Sequence, residues 1–152
     1  MKWITRERPK IDRIVCPWLI ARFIDKDPAF LYVPSGEVLS IAQITGAIPY
    51  DIPDVELSHV GDLCSFDAFL AKYGLDDPSL AQLAEIVRGA DTSRLDLTPQ
   101  SAGLYALSLG LSRNFGDDHE MLQQGMVMYD ALYAWCRSCQ AVTHNWPPAM
   151  AA

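Results

Sequence analysis

The chain has 152 residues, half of them hydrophobic and a fifth charged, a length and composition that suit one ordinary globular domain with its own core. Its formal net charge of −7 argues against nucleic acid as a partner for this chain alone, because duplex binding depends on neutralising phosphates. No apolar run approaches the roughly 20 residues that span a bilayer, and no signal-peptide pattern opens the chain. The expectation is therefore a cytoplasmic protein, without membrane insertion, whose Cys16, Cys64, Cys136 and Cys139 stay reduced.

Residues 2–5 predict a short strand. Within the first thirteen residues Lys2, Arg6, Arg8, Lys10 and Arg13 face only Glu7 and Asp12, a local basic edge that reads as an anion site. A helix is expected over 12–25, disturbed at Pro17, which has no N–H to donate. Arg13 and Arg22 lie in that helix, where burial makes partners obligatory, and Asp130 is a candidate partner for either. Arg6 and Arg8 precede Pro9, where exposure is the cheaper reading. Residues 29–33 predict a strand, 38–44 a short helix and 48–52 another strand.

Ser65 reads as the cap of a helix with the stripe Phe66, Phe69, Leu70 and Tyr73, stopped by Gly74. Asp77-Pro78 opens a second helix, striped by Leu80, Leu83, Ala84 and Val87 and ended by Gly89. Thr98-Pro99 starts a helix over 100–112 that is apolar on almost every side, which argues for a central buried position. Gly103 and Gly110 along it would let another backbone approach closely. Asp117 and Glu120 resemble a capping box ahead of a helix presenting Leu122, Gly125, Met126, Tyr129, Leu132, Tyr133 and Cys136 on one face. The expected fold class is α+β, predominantly helical, with about five or six helices packed with a small N-terminal sheet. One domain is expected over 1–142, followed by a flexible C-terminal tail over 143–152, which contains Pro147-Pro148.

Four constellations bear chemistry. The loop from Glu56 to Asp67 bunches His59, Asp62 and Cys64 before a helix start. Imidazole, carboxylate and thiolate are the usual transition-metal ligands, and the helix start would depress the Cys64 pKa. Glu85 and Arg88 are spaced for a salt bridge, with Asp91 just beyond the Gly89 stop. Asp117-Asp118-His119-Glu120 gathers four ionisable groups that cannot all converge on a helix; Asp118 or His119 is the member placed to reach a metal. Cys136-Arg137-Ser138-Cys139 with His144 offers only two thiolates and no second pair.

The opening run over 3–25 resembles the start of the chromate-resistance domain, the C-terminal region of ChrB-type proteins. So do Glu56-x-x-His59-x-Gly61-Asp62-x-Cys64-Ser65-Phe66-Asp67, Glu85 and Asp91, Asp117-Asp118-His119-Glu120, and the run from Tyr129 to Arg137. Related sequences often carry histidine where this chain has Arg88. The resemblance covers nearly the whole chain and implies a connection with chromate resistance. The expected function is a cytoplasmic metal- or oxyanion-binding domain that senses or handles chromate or a similar oxyanion. His59, Glu56, Glu85, Asp91 and Asp118 are the candidate ligands of a divalent transition metal of unspecified identity, and Arg6, Arg13 and Arg22 the candidate anion-binding groups. One alternative is a metalloenzyme acting on a small anionic or sulfur-containing substrate, with His59, Asp62 and Cys64 catalytic. Another is a regulator of chromate efflux transporter expression. The basic edge and short strands are compatible with a homodimer.

Overall fold

Trp3, Ile4 and Thr5 are fully buried because β1 (Lys2–Arg6) is the middle strand of a parallel sheet ordered β2-β1-β3. β2 (Ala29–Val33) runs beside it with Trp3 opposite Phe30, and β3 (Ile48–Pro49) flanks its other edge with Trp3 opposite Ile48. A strand covered on both faces reads as a continuous apolar run. These coordinates come from a computed structural model that describes residues 1–148.

The two connecting helices cover opposite faces of the sheet. α1 (Asp12–Leu19) joins β1 to β2 and packs Ile14, Val15 and Trp18 into the large core that contains Trp3. α2 (Val38–Thr45) joins β2 to β3 and sets Val38 against Ile4, Ala47 and Ile52. The helix expected over 12–25 is α-helical only as far as Leu19. It then widens into a π turn over Ile20–Ile24, where the Asp25 N–H reaches back to the Ile20 carbonyl.

α3 (Ser65–Lys72) begins one residue earlier than expected in its capping. Cys64 is the N-cap, and the Asp67 carboxylate accepts from the Cys64 N–H at 3.0 Å. Ser65 is thereby freed to turn inward. α4 (Pro78–Asp91) starts as its cap predicts, with Asp77 accepting from the Ser79 N–H. It runs through Gly89 rather than stopping there. A Cβ at 89 would lie 2.2 Å from Ser101 Oγ, so this glycine serves the close passage of the chain entering the next helix.

α5 (Ser101–Asn114) corrects the expectation of a central buried helix. It buries Ser101, Leu104 and Ser108, while Leu107 is 59% exposed. A Cβ at Gly103 or Gly110 would meet nothing within 4 Å, so no backbone among the described residues uses the room they leave. Apolar composition states what a helix can bury, and the packing of α5 on α4 and α6 uses only one side of it. α6 (Asp118–Ala134) is capped by Asp117, which accepts from the N–H groups of His119 and Glu120. It buries Met121, Leu122, Gly125 and Tyr129, and a Cβ at 125 would lie 2.2 Å from Ile14 Cγ2. A π turn over Trp135–Cys139 follows. Residues 143–148 are exposed and contain no helix or strand; the remainder of the expected tail lies outside the described residues. No helix among the described residues is long and apolar enough to cross a membrane.

Candidate metal centre between two clefts

In a parallel sheet, ligands bind beyond the carboxyl ends of the strands, where adjacent connections depart to opposite faces. β1 and β3 are adjacent and parallel, so their chains leave the sheet at the same edge. The chain leaving β1 supplies Arg6, Lys10, Asp12 and Arg13 there, and the chain leaving β3 supplies Asp51. The loop before α3 brings His59, and α4 ends on Asp91.

His59 Nε2 lies 2.8 Å from Asp91 Oδ2, 3.3 Å from Asp12 Oδ2 and 3.4 Å from Asp51 Oδ1. Asp12 is completely buried. Its Oδ2 accepts from the Ser65 N–H at 2.8 Å, and Ser65 Oγ donates to Asp51 Oδ1 at 2.7 Å. The inward turn of Ser65 thus orients two of the three carboxylates, the usual task of groups behind a metal site. Hydrogen bonds that the imidazolium donates to Asp12 and Asp51 push the His59 pKa up to about 10. Burial, followed by the charges of Asp12 and Asp51, raises Asp91 to about 8. Burial raises Asp12 as well, against the hydrogen bond from His59. Asp12 Oδ1 is buried with no hydrogen-bond partner among the described residues, which leaves an acceptor open inside the cluster.

One atom each from Asp12, His59 and Asp91 lies within 4.8 Å of the others, which makes these three the group among the described residues with the spacing to share a metal ion. A donor set of one imidazole with carboxylate oxygens suits a divalent ion of the zinc, manganese or iron kind more than a thiolate-seeking one. The residues present fit such an ion.

A cleft of about 510 Å³ opens on one side of the imidazole, lined by Arg6, Lys10, Arg13, Asp51 and Asp54 with His59 and Asp91. Arg13 and Arg6 approach Asp51 Oδ2 at 3.9 and 4.0 Å, too long for direct hydrogen bonds. The Nε atoms of both are buried without partners. Arg6 is a wall of the cleft and keeps the exposure expected of it, its side chain 41% accessible. A second cleft of about 660 Å³ shares His59 and Asp91 as walls and is otherwise lined by Gly61, Asp62, Leu63, Arg88, Ser93, Arg94 and Leu97.

The other sequence-derived candidates are placed elsewhere. Glu56 is exposed and pairs with Lys72. Glu85 sits on the exposed side of α4, and Arg88 gives Nε and Nη2 to Asp67 at 3.1 and 2.8 Å instead of pairing with Glu85. The reason is that Arg88 faces α3, whereas Glu85 faces water. Asp118 accepts from the Arg8 N–H at 3.1 Å and from Arg8 Nη1 at 3.0 Å, and the His119 ring packs edge-on to Tyr32. Arg22 lies at the outer end of the π turn and is held in a fork by Asp130, which also accepts from Trp18 Nε1.

Asp62 is exposed at the rim of the second cleft. Cys64 is buried with its Sγ 3.3 Å from Asp67, and burial together with Asp12 and Asp67 raises its pKa, contrary to the depression expected from the helix start. Cys136 is buried and Cys139 exposed, and neither belongs to a ligand group among the described residues.

Asp12 and Asp51 are candidate site residues that the sequence alone did not single out, whereas Lys10 belongs to the basic edge read there as an anion site. The available signal was positional: Asp12 opens the helix after the first strand, and Asp51 comes two residues after the third strand. A family model described as ChrB, C-terminal domain matches residues 3–136. Protein ChrB of Cupriavidus metallidurans is 31% identical over 133 residues, covering 87% of this chain. The chain spans about 40% of that relative's length. No solved structure matches. A match over nearly the whole length, together with that identity, shows that this chain belongs to the family of ChrB C-terminal domains.

Proposed function

We propose that this chain is a cytoplasmic binding domain for a divalent metal ion and a small oxyanion, and that this binding is its part in chromate resistance. The supporting observation is the convergence of Asp12, Asp51 and Asp91 on His59 within 3.4 Å, around a buried Asp12 oxygen that lacks a partner. Asp12, His59 and Asp91 would hold the ion, with Asp51 adjacent. A bound divalent ion would give the open Asp12 oxygen a partner and offset the charge of the carboxylates. Arg6, Lys10 and Arg13 would attract the oxyanion from the first cleft through charge-assisted hydrogen bonds. Arg22 does not join them, because Asp130 occupies its guanidinium.

Elemental analysis of protein purified without affinity tags or chelators tests the metal part. The expected result is about one divalent ion per chain, with at least a tenfold loss of affinity in His59→Ala. Substoichiometric metal in the native protein, with uptake unchanged in His59→Ala, would remove the metal. Anion binding is read by titration with inorganic phosphate or sulfate and is expected to weaken sharply in Arg13→Gln. A metalloenzyme is the second reading, favoured by one observation: both clefts reach His59, which remains 41% exposed, so a substrate could approach an ion held there. Product analysis after incubation with chromate and with sulfur oxyanions separates the two readings.

A further inference from the structure

His59 and Asp91 are walls of both clefts, so the two spaces meet at the imidazole. They differ in chemistry. The first places three cationic side chains, Arg6, Lys10 and Arg13, around the approach to the acidic cluster. The second mixes apolar surface with hydrogen-bonding groups. Leu63 is 46% exposed at its edge and Leu97 lines it, beside Ser93 and Arg94. Arg88 is already committed to Asp67, while the Arg94 guanidinium pairs, among the described residues, with the exposed Asp96 at 3.3 Å, a surface pairing that competes weakly with a bound ligand.

At about 510 and 660 Å³, each cleft is in the range of roughly 300–1,000 Å³ that accommodates an organic ligand. A bare tetrahedral oxyanion fills a small part of the first and has no use for the leucines of the second. We infer that the oxyanion recognised by this domain is the head group of a larger organic molecule, a phosphate or sulfate ester. Its charged end lies among Arg6, Lys10 and Arg13, and its organic remainder crosses His59 into the second cleft over Leu63 and Leu97. Arg94 stands at the far end to receive a second anionic group of the ligand, such as a carboxylate. The inference rests on the anion-binding half of the proposed function.

Calorimetric titration of the full chain, with and without added Mn²⁺, tests it using inorganic phosphate, phenyl phosphate and 4-carboxyphenyl phosphate, with sulfate and phenyl sulfate distinguishing the two ester types. Phenyl phosphate or phenyl sulfate is expected to bind at least about tenfold more tightly than the matching inorganic anion, since it alone gains the apolar cleft. Leu97→Trp, which fills the second cleft, is expected to abolish that advantage and leave inorganic anion affinity unchanged. Leu63→Ser provides the same comparison should the tryptophan disturb the loop. Arg94→Ala is expected to weaken only the carboxylated probe, by about tenfold. Equal affinity for the inorganic anions and their phenyl esters would overturn the inference while leaving the proposed anion site standing. An ester advantage that survives both Leu97→Trp and Leu63→Ser would overturn the placement in the second cleft. No binding of any probe would overturn the inference and the anion site together.

Discussion

Asp12 has one oxygen engaged by the Ser65 N–H and the His59 ring, and another that is buried without a hydrogen-bond partner among the described residues. Burying a carboxylate in that state is costly, and its raised pKa is the same cost expressed as a proton affinity. An amide of the same shape keeps the acceptor for Ser65 and offers Asp91 a donor. Asp12→Asn is therefore expected to leave the metal-free protein as stable as wild type or more so, by up to ~1 kcal/mol, or about 2–4 °C. The same change is expected to remove most of the melting-temperature gain on adding metal. Parallel thermal melts with and without metal check both parts, and a large loss of stability in the metal-free variant would count against the reading.

Asp130 shows the opposite electrostatics at the surface. The Arg22 guanidinium, helped by the Trp18 ring N–H, holds its carboxyl below the usual range. Its folded pKa lies below the unfolded value of about 3.9. The contribution to stability is therefore complete above that value and is lost as pH falls through the folded pKa. Asp130→Asn is expected to melt below wild type at pH 7, with the difference closing as both are taken toward pH 2.

Helix ends were legible because they are local. Asp77, Asp117 and Gly74, at φ 59°, do what their spacing from the apolar stripes predicts. Gly89 and α5 were misread for a common reason: a glycine inside a pattern and an apolar helix each have two explanations that differ only in the neighbour. The neighbour of Gly89 is Ser101, and that of Gly125 is Ile14. Gly89→Ala and Gly125→Ala are each expected to cost about 1–3 kcal/mol through overpacking. On α5, Leu104→Ala is expected to cost about 2–5 kcal/mol, whereas Leu107→Gln is expected to stay within about 0.5 kcal/mol. Denaturant melts of the four variants check the set, and a similar cost at Leu104 and Leu107 would contradict the one-sided packing of α5.

At the scale of the whole molecule, the cluster draws from the start of α1, the exit of β3, the loop before α3 and the last residue of α4. An ion bound there ties the sheet half to the helical half. Ligand at 100 times its Kd contributes about 2.7 kcal/mol, which for a domain of this size is a rise of about 5–10 °C. Removing metal with a chelator is expected to reverse that rise, and amide exchange in the 50–64 loop is expected to quicken in step. A melting temperature indifferent to both additions would argue that no ion joins these elements.

The reach of the sequence follows from the range of the interactions involved. Periodicity, caps and turn residues act over three or four positions, so the helix-rich α+β class could be read directly from residue order, while extended runs of motif carried the family resemblance. Those same signals singled out His59 and Asp91 without naming what stands beside them. Asp12 and Asp51 join them only because β1 and β3 run parallel and release their chains at the same edge of the sheet. Arg88 and Glu56 found Asp67 and Lys72 for the same reason, each pairing crossing between elements, while the fold decided that Asp130, a candidate partner of Arg13 or Arg22 from the sequence, meets Arg22. Strand order and helix packing decide which charges meet, and so the fold selected Arg6, Lys10 and Arg13, and not Arg22, to face the acidic centre.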